Sequence, residues 1–100
     1  MAKGYWIGHV DIHNMDGYRA YIEGNAVVFD KYGACFLVRG GRHETPEGAL
    51  RRRSVLIEFP DYATALACYN SPEYQKLVAL RAPHATADIV VIEGYDGPQP

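Results

Sequence analysis

Two residues interrupt otherwise apolar runs in this chain: Arg39 in "ACFLVRGG" and Glu58 in "SVLIEF". An arginine can hold a carboxylate or enolate through paired hydrogen bonds, and a carboxylate beside it can move a proton. Cooperation depends on register. Strands that bring the two together make a cross-strand ion pair, either functional or structural, whereas a slip of one residue puts them on opposite faces. His9 lies inside the first apolar run. An imidazole in a cleft could act as a base near neutral pH; in a core or interface it would only be hydrogen-bonded. His9 and His13 are four apart, about 13 Å along a strand, too far to share a metal. No other ligands are spaced to help, so no metal is expected. His43 and His84 fall in loops.

A second group gathers around "ACYNSPEYQKLVALRAP". Tyr69 and Tyr74 flank a helix break, and Arg81 ends the segment. Tyrosines suit a pocket for a small aromatic or unsaturated ligand, although at helical spacing they serve equally as core. Arg81 could close over an anion or lay its stem across apolar surface. Cys68 has no histidine or cation spaced to activate it, and Cys35 and Cys68 share no CxxC spacing. They are expected as reduced thiols of a cytoplasmic chain. There is no glycine-rich nucleotide loop and no nucleophile elbow, so no cofactor is expected.

The bulk composition narrows the classes. One hundred residues is the size of one domain; residues 1–96 are expected to form it, with 97–100 as a tail. A net charge of -2 argues against a nucleic-acid partner. "RRR" at 51–53 is read as a solvated strand entrance. No run approaches the ~20 apolar residues of a membrane helix, and the start lacks the apolar stretch of a signal peptide.

The elements that must position these residues follow from periodicity. "GYWIGHVDI" (4–12), "ACFLVRGG" (34–41), "SVLIEF" (54–59) and "ADIVVIEGY" (87–95) read as strands. Tyr18, Tyr21, Ile22, Asn25, Phe29 and Tyr32 recur at spacings of three and four, an amphipathic helix capped by Asn14 or Asp16 and ended by Gly33. Gly24 in mid-helix costs about 1 kcal/mol against alanine and marks close packing or nothing. After Pro60, Asp61 caps a helix with the stripe Tyr62, Ala65, Leu66 and Tyr69. Ser71-Pro72-Glu73 then restarts it as a second helix with the stripe Tyr74, Leu77, Val78 and Arg81. A corner there can put Tyr69 and Tyr74 around a common space. The order is βαββαβ, a ferredoxin-like α+β plan with a four-stranded antiparallel sheet and its second crossover split into two short helices.

Both faces of this sheet are apolar. Tyr5 and Ile7 oppose Trp6 and Val10, Leu56 opposes Val55 and Ile57, and Val90 and Ile92 oppose Ile89 and Val91. Right-handed crossovers put the helices on one side only, so the other would expose a large apolar patch. A second copy packed sheet against sheet is expected to cover it.

"KGYWIGHVDI", "KYGACFLVRGG", "VLIEFPDYATALACYNSPEYQ" and "IVVIEGYDG" together resemble the DUF1330 family, a domain of unknown function within the dimeric α+β barrel superfamily. The resemblance spans nearly the whole chain. It implies a homodimer through the sheet face, a bacterial cytoplasmic origin, and a cleft between sheet and helices, but no established activity. Two readings follow. One is a cofactor-free enzyme of proton-transfer or monooxygenase type acting on a small aromatic or enolisable compound, with Arg39 orienting an anion, Glu58 or His9 moving the proton, and Tyr69, Tyr74 and Arg81 shaping the cleft. The other is a non-catalytic dimeric binding or stress-related module.

Overall fold

Backbone capping decides where each helix begins. In the computed structural model, which describes residues 2–100, α1 (Met15–Lys31) is capped by Asn14, whose Oδ1 accepts from the Gly17 N–H at 3.3 Å; Asp16 instead pairs with Arg19 in the first turn. Gly33 ends it at φ +69°, a left-handed conformation that only glycine adopts without strain. Asp61 caps α2 (Tyr62–Asn70) by accepting from Thr64 N–H at 2.7 Å. Ser71 both ends α2 and caps α3 (Pro72–Arg81): its Oγ donates to Cys68 O at 2.7 Å and accepts from Tyr74 N–H at 3.2 Å.

The strands are β1 (Gly4–Ile12), β2 (Cys35–Arg39), β3 (Arg53–Phe59) and β4 (Ala85–Glu93). They form one antiparallel sheet in the order β2-β3-β1-β4. β4 starts two residues before the expected Ala87, because Ala85 and Thr86 pair with Ile12 and Asp11. β2 stops at Arg39, short of the expected Gly41, as Gly40 turns to φ +66°. This is the ferredoxin-like α+β plan.

All three helices lie on one face. There Trp6 is the hub, with ring centroids 4.8 Å from Tyr74, 5.1 Å from Phe59, 5.3 Å from Phe29 and 5.6 Å from Tyr69. Its Nε1–H donates to Ala65 O at 2.8 Å. That close approach requires small residues, so α2 turns Ala65 and Cys68 inward and leaves Tyr62 and Leu66 exposed, a rotation from the expected stripe. Gly24 does mark close packing: a Cβ there would run into the Leu77 side chain, so its absence lets α1 approach α3.

The other face carries no helix. A row of Val38, Leu56, Ile7 and Val90 crosses all four strands, with Tyr5 and Ile92 beside it. Val38, Val90 and Ile92 are 42%, 47% and 45% exposed.

Candidate functional site

One irregularity in β2 decides which arginines face the helices. Phe36 pairs with Ile57 but Val38 pairs with Leu56, so Leu37 is an extra residue in a β-bulge. The bulge turns Arg39 onto the helix-covered face, opposite Val55. Glu58 stays on the open face, opposite Cys35 and Tyr5, and accepts a bond from the Tyr5 hydroxyl at 3.3 Å. Arg39 and Glu58 therefore do not meet.

Arg39 lines a cavity between the sheet and helices α1 and α3. Its accessible space is about 40 Å³, room for a few water-sized groups. Its floor includes Trp6, Gly8, Val10 and Ile57, and its roof Tyr18, Tyr21, Asn25 and Tyr74. Arg39, Arg53 and Arg81 contribute three guanidiniums. Strand alternation from Phe59 through Ile57 and Val55 brings Arg53 inward. The last turn of α3 brings Arg81, which is only 7% exposed.

None of these arginines has an acidic partner among the described residues; the ion pairs found are Arg19–Asp16, Lys31–Glu73 and Arg51 with Asp11 and Asp88. Instead Arg39 lies over the Phe36 ring at 4.2 Å and Arg81 over the Tyr21 ring at 5.2 Å. For Arg81, the buried one of the two, such stacking recovers part of the cost of burying a cation but uses none of its N–H donors. The Tyr18 hydroxyl reports the local field. Burial raises its pKa most, Tyr21 adds to the rise, and Arg81, Arg53 and Arg39 all pull against it.

The roof is a polar chain. Tyr21 and Tyr74 share a 2.6 Å hydrogen bond between hydroxyls. Burial pushes both phenols above the ordinary value of 10.0; at Tyr21 the bond to Tyr74 and then the Arg81 charge oppose the rise. Both are neutral near pH 7. Asn25 is 5% exposed, and its Oδ1 accepts no bond from the protein, alone among the buried side-chain polar atoms of the described residues.

The expected site residues thus divide. Arg39, Tyr74 and Arg81 line the cavity. Tyr69 does not; the space at the helix corner is filled by Trp6, which packs against both tyrosines. His9 is on the open face, bonded through Nδ1 to Ser54 Oγ at 2.9 Å. The "RRR" run is the entrance of β3 as expected, with Arg52 exposed, but its side chains are not all free in water. Arg51 bridges Asp88 at 2.8 Å and Asp11 at 3.1 Å, the Arg52 N–H binds Asp11, and Arg53 enters the cavity. The Arg52 N–H and then Arg51 hold the Asp11 carboxyl below its usual range. Arg53, Tyr18, Tyr21 and Asn25 escaped the sequence reading as site residues. Alternation with Val55 and Ile57, and a lone amide in an apolar helical stripe, were the signals present. Among the described residues no cluster of three histidine, cysteine or acidic side chains could hold a metal ion, and no helix is long and apolar enough to cross a membrane.

Comparison with known proteins agrees with this architecture. The family described as "Domain of unknown function (DUF1330)" matches residues 3–95. A protein of unknown function from Rhodopseudomonas palustris superposes with a TM-score of 0.71 at 18% identity, covering 99% of this chain and 85% of its own. A dimeric ferredoxin-like protein of unknown function from Jannaschia gives 0.65 at 15% identity, covering 91% and 96%. SnoaB, a cofactor-independent oxygenase from Streptomyces nogalater, gives 0.63 at 10% identity, covering 100% and 97%. At these identities the likeness is one of fold. No curated protein matches the chain.

Proposed function

We propose that this chain, which belongs to the DUF1330 family, is a homodimeric binding protein that holds a small organic anion in the cleft beneath α1 and α3. The observation that carries this reading is the convergence of Arg39, Arg53 and Arg81, without a carboxylate partner, on one aromatic-walled cavity. Arg81 is buried, Arg53 half-buried and Arg39 exposed; a buried guanidinium without an anion is costly, and a carboxylate supplies the missing charge in a planar fork that arginine matches. The volume of about 40 Å³ suits the head of such a ligand. Binding is favoured over acid–base catalysis because His9 and Glu58, the expected proton movers, lie on the opposite face of the sheet. That face is where a second copy packs. Its exposed aliphatic row supports this, as does the dimeric Jannaschia neighbour of the same fold.

Propionate and propionamide have the same shape and differ in charge. Thermal-shift and calorimetric titration should show saturable binding of propionate, none of the amide, and at least tenfold weaker propionate binding by folded Arg81→Met. Equal behaviour of acid and amide would refute the reading.

A further inference from the structure

The cleft contains one feature that an anion alone does not answer. Asn25 Oδ1 is buried at the cavity wall and accepts no hydrogen bond from the protein. Leaving a buried acceptor unpaired is costly, and an apolar side chain of similar size would avoid the cost. The orphan is not an accident of a disordered segment, since Asn25 sits in the middle of α1 on the same face as Tyr18, Tyr21, Ile22 and Phe29. The Tyr21 hydroxyl, one turn earlier on that face, is tied to Tyr74 at 2.6 Å.

Two chemically opposite requirements thus share one small space. Three guanidiniums supply donors without an anion, and one carbonyl supplies an acceptor without a donor. Arg81 lies over Tyr21, and Asn25 is the next residue along that helix face, one turn or about 5.4 Å further. We propose that the ligand is a small hydroxycarboxylate, its carboxylate held by Arg39, Arg53 and Arg81 and its hydroxyl donating to Asn25 Oδ1. This rests on the anion-binding reading above and adds the second functional group. Simple carboxylates satisfy only the arginines. Neutral alcohols satisfy only Asn25. Asn25 is therefore the residue that sets specificity, while the arginines set affinity.

The test is calorimetry on the full chain with propionate, both enantiomers of lactate, and 2-methoxypropionate, which keeps the oxygen but cannot donate. The better-bound lactate should bind about tenfold more tightly than propionate or the methyl ether, equivalent to about 1.4 kcal/mol. In Asn25→Leu the three acids should bind within about twofold of one another, at the affinity wild type shows for propionate, and the variant should melt higher than wild type because the orphan acceptor is gone. Wild-type lactate and propionate affinities within twofold would overturn the hydroxycarboxylate while leaving the anion site intact, the sign that water satisfies Asn25. A lactate preference that persists in Asn25→Leu would overturn it as well. Failure of every acid to bind would remove both readings. The wild-type series decides the matter even if Asn25→Leu fails to fold.

Discussion

Ile7 sits at the centre of the open sheet face, between Leu56 and Val90 in the row that begins at Val38. Replacing it with lysine separates folding from association. Fully burying an isoleucine is worth about 1.5–3 kcal/mol, and Ile7 is already half-buried within its own chain, so about 1 kcal/mol per chain remains for the interface. Twofold symmetry counts each substitution twice, about 2 kcal/mol in all. Two ammonium groups facing each other in a desolvated interface add several more. A total of at least about 4 kcal/mol weakens the dimer by roughly a thousandfold. The isolated chain should tolerate the change, because a lysine stem can lie along the sheet with its charge in water. Sedimentation velocity over a concentration series should find the wild type as a dimer and Ile7→Lys as a folded monomer by circular dichroism. A variant that sediments like wild type, or a wild type that is itself monomeric with this face in water, would refute the sheet-to-sheet assembly.

Other expectations follow from single groups. Ser71→Ala removes the bonds to Tyr74 N–H and Cys68 O at the helix corner, and should lower urea stability by about 1–2 kcal/mol; a loss below about 0.5 would deny the cap its role. The Cys68 thiol is fully buried and its pKa is pushed up to about 12, so iodoacetamide at pH 8 should leave it unmodified until the chain unfolds. Alkylation of Cys68 in the native protein would contradict the packing under α2. Asp11, Asp61 and Glu73 are each held below their ordinary values, by the Arg52 N–H, by Thr64 and by Lys31 respectively. Their folded pKa values are depressed, so their contribution is present above the unfolded values and lost as pH falls through the folded ones. The urea midpoint should therefore drop as pH falls below about 4.5, and an unchanged midpoint at pH 3 would count against these contacts.

The fold was legible because each boundary has a local cause. Asn14, Asp61 and Ser71 cap helices with their own side chains, Pro72 opens α3, and period-two alternation assigns both faces of β1, β3 and β4. Arg81 and Tyr74 were found in the cleft for the same reason: helical periodicity put them on the buried stripe. What local pattern could not supply was the bulge at Leu37, which depends on how β2 pairs with β3 and separates Arg39 from Glu58. The occupant of the space at the helix corner was equally hidden. Trp6 comes from the far end of the chain, and only the tertiary fold packs it against both Tyr69 and Tyr74. Arg53 was obscured by its neighbours, since three consecutive arginines look solvated until alternation is followed back from Phe59.

The arginine-lined cleft is tested most directly by amide spectra of the isotopically labelled chain during a propionate titration. The account predicts saturable shifts confined to the Trp6 indole N–H and to amides of Tyr18, Tyr21, Asn25, Arg39, Arg53 and Arg81, with His9, Glu58 and Asp88 on the opposite face unmoved. Shifts centred on that opposite face, or none at concentrations up to saturation of a millimolar site, would contradict it.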